Sequence, residues 1–192
     1  MKFVFAFILF ALTTAHSNAR TSVPEFAEIC GVRLGYDTME TLERQMGNGL
    51  PEIGGHAHGG RLWQSSAAGC DIYADAFYYN DHKGRAYGRV LDSLSITPSS
   101  HNPEIPAARL PRKQALFMGV VSLGMTKAEV LHALKSKLPP PKARGSGLIW
   151  DVTGFVPVNR GNNVATHSWR AELHFEGNKL QEIRIDAFTG PP

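Results

Sequence analysis

The chain repeats itself once at a near-constant spacing, and this constrains its fold more than any other feature of its 192 residues. Leu34-Gly35-Tyr36-Asp37 aligns with Leu123-Gly124-Met125-Thr126 at an offset of 89. At the same offset Glu40 falls on Glu129 and Leu42 on Leu131. Leu62-Trp63 lies opposite Ile149-Trp150 at an offset of 87, and Leu94-x-Ile96 opposite Ile183-x-Ile185 at 89. A sequence repeat is one supersecondary unit used twice, so what one copy builds the other is expected to build. Between the copies, residues 97–112 hold Pro98, Pro103, Pro106 and Pro111 with little apolar periodicity, which is a linker composition. The reading divides the chain into residues 1–19, a first repeat at 20–96, the linker at 97–112 and a second repeat at 113–192.

Each repeat reads in the same order. Asp37-x-x-Glu40 and Thr126-x-x-Glu129 have capping-box spacing, so a helix is predicted to open at each. In the second helix Ala128, Leu131, Leu134 and Leu138 make one apolar stripe. Gly47-Asn48-Gly49 ends the first helix and Pro139-Pro140-Pro141 the second. A shorter helical turn is expected before each, around 24–29 and 112–118. The period then changes to two, predicting strands at 70–79, 90–96, 148–152, 167–175 and 180–188. Glu176-Gly177-Asn178-Lys179 is a tight hairpin between the last two. The expected fold class is α+β: two tandem helix–helix–antiparallel-sheet units.

Residues 1–19 read as a secretory signal peptide. Lys2 supplies the charge, Phe3 to Leu12 the apolar stretch and Ser17-Asn18-Ala19 a small-residue cleavage site. That stretch is half of the roughly 20 residues a membrane span needs, and no later segment is long and apolar enough. The expected location is secreted or periplasmic. Cleavage leaves a mature net charge of +2, which gives no case for a nucleic-acid partner. The charge is unevenly spread: residues 25–104 carry a net −5, and residues 105–144 a net +7. The basic 105–144 segment is a candidate for peripheral contact with anionic lipid headgroups or an acidic partner, or else a solvated linker and helix face. Export favours a Cys30–Cys70 disulfide, closing a loop of about 40 residues and adding roughly 3–4 kcal/mol.

Catalytic spacings are missing. The sequence has no G-x-S-x-G, S-x-x-K, H-E-x-x-H or phosphate-binding glycine pattern, and no cofactor is expected. One arrangement carries an alternative function, a small secreted metal-dependent hydrolase. His56 and His58, in Gly54-Gly55-His56-Ala57-His58-Gly59-Gly60, share a side if extended, with Asp71, Asp75 or His82 as further ligands.

The leading reading is a binding protein. Strict alternation over Cys70 to Tyr79 puts Asp71, Tyr73, Asp75, Phe77 and Tyr79 on one side and Cys70, Ile72, Ala74 and Ala76 on the other. The second set is small and apolar and suits helix packing, leaving the carboxylates and aromatics as a candidate protein-binding face. In the second repeat Trp169, Ala171, Leu173 and Phe175 make the apolar side and Ser168, Arg170, Glu172 and His174 the open one. Trp63 and Trp150, at equivalent places, are either core or further binding aromatics.

The run Leu-Gly-Met-Thr-Lys-Ala-Glu-Val at 123–130 resembles the helix-opening signature of the SmpA/OmlA outer-membrane assembly lipoproteins. It equally resembles the secreted β-lactamase-inhibitor proteins, which carry two such units in tandem. The resemblance implies a helical layer on an antiparallel sheet, repeated, with the open sheet faces forming a shared concave surface. It also implies a binding or assembly role rather than catalysis. The lipoproteins' lipidated N-terminal cysteine has no counterpart here, and the inhibitors' disulfide in each unit has none in the second repeat. The expectation is an exported, non-enzymatic protein-binding module of the envelope-assembly or enzyme-inhibitor kind.

Overall fold

The computed structural model describes residues 23–52, 59–80, 86–157 and 164–189. The alternating segments do form strands, and longer ones than the pattern predicts. The chain opens with a short 3-10 turn at Glu25–Ala27 and a two-stranded hairpin, β1 (Glu28–Ile29) and β2 (Val32–Arg33). Helix α1 (Met39–Met46) follows, then β3 (Leu50–Glu52), β4 (Gly60–Ser65), β5 (Cys70–Asn80) and β6 (Ala86–Pro98). After a second 3-10 turn at Arg112–Ala115 come α2 (Lys127–Leu134), β7 (Lys142–Arg144), β8 (Gly147–Pro157), β9 (Val164–Glu176) and β10 (Lys179–Thr189). The β9–β10 turn is held by Gly177 and Asn178, both at positive φ, the conformation a two-residue hairpin of this hand requires.

The strands build one antiparallel sheet of eight, in the order β3-β4-β5-β6-β10-β9-β8-β7. This corrects the α+β expectation of two separate helix–helix–sheet units: the fold is mostly β. The two helices are eight residues each, and the shorter helical segments are 3-10 turns of three and four residues. The sheet is continuous because β6 pairs with β10 through Ser93–Asp186, Leu94–Ile185, Ser95–Arg184 and Ile96–Ile183. Left apart, β6 and β10 would each expose a long edge of unpaired N–H and C=O groups; joining them removes both. Local periodicity carries no information about that pairing.

The seam between β6 and β10 is only four residue pairs long, and the Leu-Gly turns take over where it stops. Gly35 N–H donates to the Leu91 carbonyl at 2.7 Å, and Leu91 N–H to the Asp37 carbonyl at 3.0 Å. Residues 89 further on, Gly124 N–H donates to the Leu180 carbonyl and Leu180 N–H to the Met125 carbonyl, both at 2.8 Å. Gly35 and Gly124 sit at φ +77° and +81°, left-handed backbone in which a side chain is strained. The shared motif is therefore a plug for the two ends of the seam.

Both helices open where the motif predicts, with one difference. Thr126 and Glu129 form a full capping box: Glu129 N–H donates to Thr126 Oγ1, and Thr126 N–H to Glu129 Oε2 at 2.7 Å. In the first copy the cap position is Thr38, not Asp37, and no side chain caps it. Asp37 is committed elsewhere, accepting from the Arg33 backbone N–H at 2.8 Å and from its guanidinium. The apolar stripe of α2 is also rotated from the expected one: Val130 and Leu134 are buried, while Ala128 and Leu131 are exposed.

The core lies between these helices and one face of the sheet. Met39, Leu42 and Met46 of α1 pack into the same cluster as Trp63, Ile72, Ala74, Leu94 and Ile96. Val130, Leu134, Trp150, Trp169, Ala171 and Leu173 continue it in the other half. Trp63 Nε1 donates to the Gly47 carbonyl and Trp150 Nε1 to the Pro139 carbonyl, each at 2.8 Å, so each indole fastens the chain leaving a helix. Gly49 is required there, because a Cβ would stand 2.6 Å from the Trp63 ring. Trp169 Nε1 donates to the Leu34 carbonyl at 2.9 Å and ties the second half to the first.

Candidate functional site

The helices cover one face of the sheet; the other carries the predicted binding residues. Strand alternation puts Ile72, Ala74 and Ala76 in the core at 0% exposure and leaves Tyr73, Asp75 and Phe77 half-buried on the far face. Pairing register lines the open face into rows across the sheet. One row runs from Leu62 through Tyr73, Ser95, Arg184 and Glu172 to Ile149. The next runs from Asp75 through Ser93, Asp186 and Arg170 to Asp151.

In the first half this face is aromatic and acidic. The Tyr73 ring lies across Gly60, where a Cβ would stand 2.6 Å from its hydroxyl, so glycine is needed for the ring to lie flat. Burial, the Asp75 and Glu52 carboxylates, and a hydrogen bond with Glu52 push the Tyr73 hydroxyl up to about 12. Tyr73 is therefore a neutral donor throughout the physiological range. Asp75 Oδ1 accepts from Ala76 N–H at 2.8 Å, and Phe77 stands opposite Val90. Asp71 is 6% exposed and anchors the start of the linker, accepting from Ser100 N–H at 2.8 Å and from Gln64 Nε2 at 3.3 Å. Burial favours the protonated acid and pushes its pKa up, but hydrogen bonds from Ser100, Gln64 and Ser99 outweigh this and hold it below the usual carboxylate range.

In the second half the face is a ladder of ion pairs. Asp186 accepts from Ser93 Oγ at 2.9 Å and from Arg184 Nε at 3.1 Å, bridging the seam. Asp151 pairs with Arg170 at 2.8 Å and Lys142 at 3.4 Å. The Arg170 hydrogen bond, with help from Lys142, keeps the Asp151 carboxyl below its ordinary range. Phe188, 52% exposed, stands on the same face in register with Ser168. Arg184, Asp186 and Phe188 were not among the predicted site residues. The alternation used for β9 finds them when applied to Leu180–Phe188.

Several predicted residues lie elsewhere. Trp63 and Trp150 are 0% and 3% exposed on the core face, so they are packing residues and are removed from the binding surface. Tyr79 is in β5, but its side chain lies outside the described residues, as do His56, His58 and His82. Among the described residues no group of three or more His, Cys, Asp and Glu could hold a metal ion. Cys30 and Cys70 are buried thiols, with no disulfide at bonding distance between them. Two buried cysteines are not sufficient for a bond that needs its sulfurs about 2.05 Å apart. Burial raises both thiols, Cys70 to about 11; Cys30 rises further under the influence of Cys70, so both stay protonated.

The basic 105–144 segment is spread over the fold rather than gathered. Arg109, Arg112, Lys113, Lys135, Lys137, Lys142 and Arg144 are exposed on the linker, the second 3-10 turn, the end of α2 and β7. Lys137 pairs with Glu25 at 3.8 Å, and Lys142 with Asp151. No helix among the described residues is long and apolar enough to cross a membrane. No protein-family model matches this chain, and neither a curated protein nor a solved structure matches it.

Proposed function

We propose that this is an exported, non-enzymatic protein that binds another protein through the sheet face turned away from its helices. The carrying observation is that Tyr73, Phe77 and Phe188 are incompletely buried on that face, set among Asp75, Arg184 and Asp186. Aromatics beside oriented charges are what a recognition surface uses: the rings supply anchoring area, and the charges supply orientation. The ion pairs of the second half are internally satisfied, so they favour orientation over raw affinity. The resemblance of the Leu123 to Val130 run to the SmpA/OmlA and inhibitor signature is in keeping with binding rather than catalysis.

The test is capture from a native envelope extract on immobilised residues 20–192, compared across variants. Phe77→Ala and Phe188→Asp should each weaken capture of the same partner about 30-fold or more, at roughly 1.4 kcal/mol per tenfold. Leu131→Asp, on the exposed side of α2, should leave it unchanged. Equal capture by all three would remove the open face as the binding surface.

A further inference from the structure

We propose that the outer edge of β8 at Asp151–Thr153 receives an extended, acidic segment of a partner protein, laid parallel to β8 as an added strand. The template for this occupant is inside the molecule. In the first half β3 pairs with β4 only through Gly60–Leu62, and the linker then covers what β3 leaves. Gln64 N–H donates to the Pro106 carbonyl at 2.9 Å, Ala108 N–H donates to the Gln64 carbonyl at 2.7 Å, and the bridge runs parallel. Ile105 and Leu110, 7% and 6% exposed, anchor the linker on either side of that contact.

Among the described residues, the second half repeats the edge without the cover. β7 pairs with β8 only through Gly147–Ile149, as β3 does with β4. The next outward position, Asp151, is the counterpart of Gln64, since each follows the matching tryptophan directly. Backbone groups along a strand point alternately to its two neighbours, so Asp151 and Thr153 turn theirs away from β9 if Asp151 follows Gln64. Among the described residues no backbone group pairs with that side of Asp151–Thr153. Accessibility tracks the difference: Ser65 is 1% exposed, whereas its counterpart Val152 is 36% exposed. Pro139-Pro140-Pro141 precedes β7, and prolines, lacking an N–H, cannot extend it along this edge.

The charge of the occupant follows from its surroundings. Lys142 and Arg144 are exposed on β7 beside this edge, with Lys135 exposed just after α2 and Lys137 paired with Glu25, and residues 130–150 contain no acidic side chain. Asp151 itself is already engaged by Arg170 and Lys142. An added strand gains affinity from main-chain hydrogen bonds and selectivity from side chains at alternate positions, here acidic ones. The edge is distinct from the sheet face proposed above, so either can fail without the other.

The test uses mature residues 20–192 with two blocked peptides of about ten residues, one alternating Glu and Val, the other Lys and Val. The glutamate peptide should bind at least about tenfold more tightly and slow hydrogen exchange at the Asp151 and Thr153 amides. Thr153→Pro removes an outward N–H while sparing the β8–β9 ladder, so it should weaken binding about tenfold or more with little change in melting temperature. If that variant does not fold, Lys142→Glu with Arg144→Glu, on the strand beside the edge, provides the second arm and should shift preference towards the lysine peptide. Equal binding of the two peptides overturns the proposal. So does protection of both amides without peptide, which would place a segment of the chain itself there. Protection that rises with protein concentration would instead make the occupant a second copy.

Discussion

The two halves of the sheet carry the same fastenings and spend their charges differently. In each, a tryptophan N–H holds the carbonyl of the chain leaving the helix at 2.8 Å, and a left-handed glycine plugs one end of the seam. Gln64 and Asp71 form one cross-strand pair; their counterparts are Asp151 and Arg170. In the first half the acid is on β5, buried, and held by Ser100 and Gln64. In the second it is on β8, exposed, and held by cations. The fastenings recur because both halves must solve the same packing problem. The charges diverge because a sheet face without a helical cover accepts many arrangements that satisfy its polar groups.

The comparison breaks most visibly at the tryptophans. Trp63→Ala and Trp150→Ala should each cost about 3–5 kcal/mol in urea unfolding, since each removes a buried indole and the bond that fixes a loop. A loss below about 1 kcal/mol for either would show that its half is fastened by something else.

The acids should separate next. Asp71→Asn should cost about 1–3 kcal/mol at neutral pH, because a buried acceptor of several donors is weakened. Asp151→Asn should cost about 0.2–1 kcal/mol and lose that effect in 1 M salt, as an exposed pair does. Both carboxyls titrate below their ordinary range in the folded protein. Their contribution is therefore present above the unfolded carboxylate value, about 3.9, and is lost as pH falls through the lower folded value. Asp71→Asn should flatten the acid limb of the stability profile more than Asp151→Asn. The reverse order would mean that the cations, not the buried hydrogen bonds, dominate.

The helix caps give the smallest contrast. Thr126→Ala should cost about 1 kcal/mol because it breaks a complete capping box. Thr38→Ala should cost a few tenths by thermal melting, since the Thr38 side chain caps no backbone group and meets Thr41 Oγ1 at 3.4 Å. Equal costs would indicate that the Thr38 side chain contributes through contacts other than capping.

Much of the site was legible in the pattern of β5. Alternation separated Ile72, Ala74 and Ala76 from Tyr73, Asp75 and Phe77, because a strand covered on one face cannot mix the two sets. Asp37 shows where local reading fails. Its spacing to Glu40 is that of a cap, yet Arg33 competes for the same carboxylate and wins with a backbone and a guanidinium bond. The rotation of the α2 stripe has a similar origin. In a helix of eight residues, which ends before Leu138, two leucines, a valine and two alanines fit more than one stripe, and the sheet beneath selects Val130 and Leu134.

The sequence by itself located β5, β6, β8, β9 and β10, the side of β5 and β9 that is apolar, and the start of both helices after Gly35 and Gly124, but not the short strands β3, β4 and β7. These follow from interactions within a few residues: the two-residue period of a strand, the φ a glycine permits, the spacing of a cap. Only the tertiary structure decided that β6 joins β10 into one sheet, that Trp63 and Trp150 face the core, and that the linker covers β4 while no strand among the described residues covers β8 in the same way. Those outcomes depend on pairing between groups far apart in the chain, where the free energy resides in edges closed and area buried rather than in any local pattern.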